Sequence, residues 1–341
     1  MEMLKCALLY ITHKFKLNNI ELKNELSSYD VKIYKNKKNT YEGSGIDKYF
    51  EAKNIDFKNL YALRNMLDVE FLKKYHKSLV NILLYDNTTE KNIVWGTDDY
   101  LTTSNKYSFS SNIMPDSVNI IKPRRLKDVD ICKDRSAKMA EVFTPAWICN
   151  KQNNILDKEI LPSDFFNKES ENGWVTTIRK DRLSDEIINK YISSPRIEIT
   201  CGEAPYITSR FDAVDGRYIE LYDRIGLLDR KLRIVTEYFD KNNWYDTAII
   251  ALKSIYGYEY QGDNLFLARC NIFFTFIEYY FNVFYKLPEL NKLIEIANII
   301  SLNIVQMDGM NLSSLDGSKK VSICDWETEK EILFESVLNN E

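Results

Sequence analysis

Arg196-Ile-Glu-Ile-Thr-Cys-Gly-Glu-Ala-Pro205 is the stretch on which the fold turns. Arg196 to Thr200 reads as a strand, and Cys201-Gly202 supplies a tight turn at its end, where a backbone can approach a ligand closely. Downstream the pattern repeats. Asp223 to Phe239 is helix-forming, with Ile225, Leu228, Leu232 and Val235 on one face, and Tyr245 to Ser254 continues in the same manner. Ile255 to Glu259 reads as a short buried strand, Asp263 to Phe276 and Leu290 to Ile296 as helices, and Ile299 to Met307 as a third strand. Strands alternating with helices predict an α/β protein, a parallel sheet with crossover helices. Upstream, Ala146 to Leu156 is expected to be a helix beginning just after Pro145, and Glu186 to Ile192 a short amphipathic one. Tyr206 to Asp223 reads as an insertion.

The N-terminal third has a different texture. Glu21 to Leu26 and Phe57 to Val80 carry helical spacing, the latter through Leu60, Leu63, Leu67, Phe71 and Tyr75. Val80 to Tyr85, a turn at Asp86 to Glu90, and Lys91 to Gly96 read as a hairpin. Leu101 to Asp134 is richer in Ser, Asn, Pro and charge, as a connector is. Two domains are therefore expected: a mixed α+β unit over 1–134, facing DNA or a partner, and a ligand-binding unit over 135–341.

Composition excludes several classes. With a net charge of −4 over 341 residues, the chain does not resemble proteins that coat nucleic acid through phosphate neutralisation. A local basic loop stands out all the same, with Lys122, Arg124, Arg125 and Lys127 as candidate DNA contacts; a solvated surface loop is the bland alternative. Six cysteines lie far apart with no C-x-x-C pair, and only His13 and His76 could join them at a metal, so neither a zinc site nor a disulfide framework is expected. Dispersed thiols, together with an N-terminus too short and polar for a signal peptide, suggest a cytoplasmic protein. The longest apolar stretch, Cys270 to Tyr285, is broken by Asn271, Glu278 and Asn282, and reads as a buried helix rather than a membrane span.

Taken with Ala140-Glu-Val-Phe-Thr-Pro-Ala146, the strand-and-turn stretch resembles the two S-adenosylmethionine-binding elements of adenine-N6 DNA methyltransferases of the restriction–modification type. In that family they run roughly [GE]-x-[FY]-[FY]-T-P and D-P-A-C-G-T-G. The resemblance extends over about residues 137–312. Tyr256-Gly-Tyr-Glu259 is similar to the family's G-x-[ED] element, and Leu267-Ala-Arg-Cys-Asn271 to its L-A-R-x-N helix. It implies a partial Rossmann-like class I methyltransferase sheet with S-adenosylmethionine as cofactor. Phe143, Thr144 and Pro145 would pack on the cofactor, and Thr200, Cys201 and Gly202 would hold its methionine end. Glu259 would take the ribose diol and Asp308 the adenine amino group.

The departures are equally specific. Glu203 and Ala204 stand where the family loop is small and uncharged, and no Asn/Asp-Pro-Pro-Tyr tetrapeptide occurs anywhere. The fragment that could take its place, at the end of a fourth strand, is Val321-Ser-Ile-Cys-Asp-Trp-Glu327. There Asp325 would accept the target amine and Trp326 would stack on a flipped base. A hairpin across Glu327-Thr-Glu-Lys330 accounts for the same fragment. The leading expectation is an S-adenosylmethionine-dependent DNA adenine-N6 methyltransferase, working with a specificity or nuclease subunit. The alternative is a catalytically inactive methyltransferase-fold subunit that binds DNA or a partner protein. A third reading is a methyltransferase acting on RNA or a small molecule.

Overall fold

The computed structural model describes residues 77–101, 107–139, 141–179 and 181–338, with shorter pieces before them at 11, 16–17, 19–29, 31–35, 41–44, 46–53 and 72. The early pieces hold helix α1 (Asn19–Ser27), an antiparallel pair β1 (Lys32–Lys35) and β2 (Tyr41–Ser44), and helix α2 (Ile46–Ala52). Most of the expected helix from Phe57 to Val80 lies outside the described residues.

At the centre of the rest are three parallel strands, β7 (Arg196–Glu198), β8 (Ile255–Glu259) and β9 (Ile304–Gln306), side by side in that order. Helices α7 (Leu227–Tyr238) and α8 (Lys241–Lys253) connect the first two strands. Helices α9 (Gly262–Phe284) and α10 (Leu290–Asn303) connect the second pair. A helix apolar all round belongs in a core. So it is with α9, which is buried along almost its whole length. Among its polar side chains, Arg269 donates to the carbonyls of Ile304, Leu83, Tyr85 and Ser301.

The remaining elements frame this centre. Helix α3 (Lys77–Leu84) runs into a short antiparallel pair, β3 (Tyr85–Asp86) and β4 (Lys91–Asn92). Helices α4 (Val129–Met139) and α5 (Ala146–Asp157) follow, then the hairpin β5 (Asn167–Ser170) and β6 (Gly173–Thr176), and helix α6 (Asp185–Ser193). Ser184 caps α6 by accepting from the Ile187 N–H. The last described residues form the hairpin β10 (Ser322–Asp325) and β11 (Lys330–Leu333) and a short helix α11 (Phe334–Leu338).

Three expectations need correction. Val80 to Leu84 is helix rather than strand, because Leu79, Val80, Leu83 and Leu84 share one helical face that packs against α10. Residues 299–303 extend α10, whose buried Leu293, Ile296, Ala297 and Ile300 recur at helical spacing, so only Ile304–Gln306 remains as strand. Finally, β10 joins no fourth position in the parallel sheet but pairs with β11 alone, Asp325 opposite Lys330. One hydrophobic core runs from Leu79, Trp95 and Ile113 through to Phe273 and Ile300, and Gly262 N–H bonds the carbonyl of Trp95.

Candidate functional site

At the carboxyl ends of β7 and β8 the chain turns away and leaves a cavity of about 990 Å3. The turn after β7 is built from left-handed backbone: Thr200, Gly202 and Ala204 have φ of 48°, 53° and 64°. Only Gly202 adopts this without steric penalty; an L-residue held there costs about 1–2 kcal/mol. Cross-links hold the turn. Cys201 N–H donates to Tyr258 O at 2.8 Å, Ala204 N–H to Cys201 O at 2.7 Å, and Gly202 N–H to a carboxylate oxygen of Glu259 at 2.8 Å. Phe143 lies over Gly202, where an added β-carbon would stand 3.7 Å from the ring. Beyond it Pro145 opens α5, and Asp212 accepts from the Ala146 N–H at 2.9 Å.

The cavity is acidic and rich in acceptors. Glu141, Glu198 and Glu259 are part of its lining, and no Lys, Arg or His is among the described residues lining it. Glu198 accepts from the N–H groups of Tyr206 (3.3 Å) and Ile207 (3.1 Å). Burial nevertheless pushes its carboxyl up to about 8, with a smaller contribution from the nearby Glu259 charge. Glu259 bridges Gly202 N–H and Gln261 N–H, and burial raises it as well. Two buried asparagines complete the pattern. Asn153 gives both amide hydrogens to the carbonyls of Tyr206 and Ile225, and Asn264 gives its own to Glu141 and Gln261. Each amide is thereby fixed in orientation, and each side-chain oxygen is left without a donor. Buried acceptors in that state call for a donor group. Apolar side chains of Val142, Phe143, Ile155, Leu156, Ile197 and Ile199 form the rest of the wall.

The structure brings Phe143, Thr144, Thr200, Cys201, Gly202 and Glu259 together around this cavity, with Pro145 immediately behind. Asp308 is not among them. It lines a separate shallow cleft and caps its own turn, accepting from Met310 N–H, Asn311 N–H and the Asn311 side chain. Asp325 and Trp326 sit at the other end of the sheet. Trp326 donates to Asn303, whose own amide reaches the carbonyl of Ile255 at the start of β8, while Asp325 caps the hairpin turn through Glu327 N–H and the Thr328 hydroxyl. The hairpin reading of that fragment is the one observed.

The basic loop is largely engaged within the chain. Arg124 stacks on Phe143 at 4.5 Å and its N–H donates to Glu203; Arg125 stacks on Phe211 at 4.0 Å; Lys127 reaches the buried Asp263 at 3.2 Å. Lys122 is exposed. Among the described residues there is no cluster of three or more metal-ligating side chains, and no helix is long and apolar enough to cross a membrane. Sequence reasoning passed over Glu198, Asn153 and Asn264. Glu198 carried a signal, as the acidic residue in the strand leading into the turn; the asparagines carried none, since their role depends on which carbonyls fix them. Comparison of the chain with protein families, curated proteins and solved structures finds no match.

Proposed function

We propose that the chain binds S-adenosylmethionine in this cavity and is the cofactor-holding part of an adenine-N6 DNA methyltransferase-like protein of a restriction–modification or related defence system. Its three parallel strands would then be part of a Rossmann-like sheet. The observation that carries the reading is the lining of the cavity: acceptors beside the left-handed Gly202 turn, with no Lys, Arg or His among the described lining residues to hold a nucleotide's phosphates. Glu141 is paired with Arg135 and burial holds Glu198 toward its neutral form, so a ligand bearing a sulfonium and an ammonium group would be met by acceptors rather than by three free charges. The fixed acceptors extend the match. A ribose diol would donate to Glu259. When bound, the cofactor supplies an electrophilic methyl group; the chain's own part is to hold and orient it over the Gly202 turn and shield it with Phe143.

A second reading has its own support: that the chain is catalytically silent alone. Asp325 and Trp326 lie away from the cavity, so the groups that accept and stack the target base would come from a partner. The test is calorimetric titration with S-adenosylmethionine, followed by transfer of labelled methyl to DNA. Glu259→Gln should weaken binding by about 1–3 kcal/mol, the cost of disturbing hydrogen bonds to a charged acceptor, or about 5- to 150-fold in Kd. Saturable binding without methyl transfer supports the silent-module reading, and turnover by the chain alone refutes it. No binding, or equal affinity in a folded Glu259→Gln protein, refutes the cofactor site.

A further inference from the structure

Among the described residues no strand pairs with the outer side of β7. On its inner side Arg196 N–H donates to Ser254 O at 2.9 Å, and beyond the strand Cys201 N–H donates to Tyr258 O at 2.8 Å. Backbone groups alternate along a parallel ladder, so the N–H and C=O of Ile197 point away from β8. The side chains around this edge are unusually bare for a parallel sheet, whose faces are normally covered. Ile197 is 44% exposed, Ile199 and Ile155 65%, and Val142 78%, all on the rim of one cavity. A contiguous apolar patch beside unpaired strand backbone marks an interaction surface. At the start of β7, Arg196 is mostly buried, yet two of its guanidinium nitrogens have no hydrogen-bond partner, and its nearest carboxylate, Glu159, stands 3.8 Å from the third.

We propose that this edge receives an extended segment of a partner polypeptide as a fourth strand beside β7. The segment would carry aliphatic side chains toward Ile155, Ile197 and Ile199, and a carboxylate where it passes Arg196. Other occupants meet only part of the surface. An alkyl ligand would cover the aliphatic groups and leave the Ile197 backbone and Arg196 unmet. A second copy, paired antiparallel about Ile197, would set Arg196 opposite a Glu198 whose carboxylate is already bound by Tyr206 and Ile207 N–H groups. Strand addition satisfies backbone, side chains and charge together. The proposal does not depend on the cofactor reading.

The intact chain would be titrated, without cofactor, against two fluorescein-labelled peptides, Asp-Ile-Thr-Ile-Thr-Ile-Thr and Thr-Ile-Thr-Ile-Thr-Ile-Asp, which present the acid for parallel and antiparallel addition. Matched peptides N-methylated at alternate residues keep the side chains and lose the donors. One unmethylated peptide should bind saturably, with loss of binding on methylation in one of the two alternate sets. Ile197→Pro should weaken binding about tenfold or more, through lost outward hydrogen bonding. Proline is tolerated there because the N–H it removes faces outward on an edge strand. Ile199→Lys is the second variant should the first fail to fold, with thermal melting as the control for both. Failure of both peptides to saturate the chain, or indifference to methylation, overturns the proposal. A dimer seen by light scattering and dissociated by either variant also overturns it, by assigning the edge to a second copy.

Discussion

Glu198→Gln tests the electrostatics of the cavity directly. In the folded chain the carboxyl is pushed from 4.5 up to about 8, mainly because burial disfavours its charge. A raised carboxyl binds its proton more tightly folded than unfolded. Its contribution to stability is therefore fully present below pH 4.5 and is lost as pH rises through about 8. At 1.36 kcal/mol per decade of proton activity, that span is worth on the order of 5 kcal/mol. Glutamine is nearly isosteric and stays neutral throughout. It can accept from only one of the two N–H groups that Glu198 now satisfies, a pH-independent loss of about 1–2 kcal/mol. Urea denaturation at intervals from pH 5 to 8.5 should show the variant less stable than the parent at pH 5 and more stable at pH 8.5, with the curves crossing between. Binding gives a second readout. If the cavity takes a cation, its affinity for S-adenosylmethionine should rise with pH as Glu198 ionises, while the variant responds less. A stability difference that stays constant across pH would refute the assigned burial of this carboxyl and the linkage built on it.

Other consequences are simpler to check. Thr200 is an exposed β-branched residue at φ 48°, so Thr200→Gly relieves about 1–2 kcal/mol of strain against up to about 1 kcal/mol of added chain entropy; chemical denaturation should find it neutral to about 1 kcal/mol more stable. Lys127 is buried against Asp263, so Lys127→Ala should cost about 2–3 kcal/mol in the same assay, toward the low end for a broken buried pair because Arg135 still holds that carboxylate. Any DNA affinity of the folded variant should keep its salt dependence, whereas a flatter slope would restore Lys127 as a phosphate contact. Asp325→Ala, at a hairpin turn away from the cavity, should leave S-adenosylmethionine affinity within about twofold, since surface changes seldom exceed 0.5 kcal/mol. A large loss in calorimetry would place the hairpin nearer the ligand than the structure does.

What could be read from the sequence was what local pattern encodes. Ile255–Glu259 is legible to the residue, because it lies between a helix that ends at Lys253 and one that begins at Gly262. The Phe143, Gly202 and Glu259 grouping was legible through motif order, and the three do meet. What failed was decided by packing. Nothing local to Val80-Asn-Ile-Leu-Leu84 says whether its apolar residues face a sheet neighbour or the flank of α10. Asp308 lies two residues beyond its strand, where Glu259 is the last residue of its own. The next turn of chain supplies Asp308 with its own amide partners, so the carboxylate closes locally instead of facing the cavity.

Glu203, in the turn after β7, has a definite physical consequence. Glu203 would put a carboxylate at the methionine end if it faced inward. It turns outward instead, accepting from Arg124 N–H at 2.6 Å, and it is not part of the cavity lining. That contact also draws Arg124 onto Phe143, the residue that covers Gly202. Glu203 thus braces, through Arg124, the Phe143 side of the cavity. In doing so it takes Arg124 out of the basic loop, while Asp263 holds Lys127 and Phe211 stacks on Arg125. Lys122 and Arg125 are the cations of that loop still exposed.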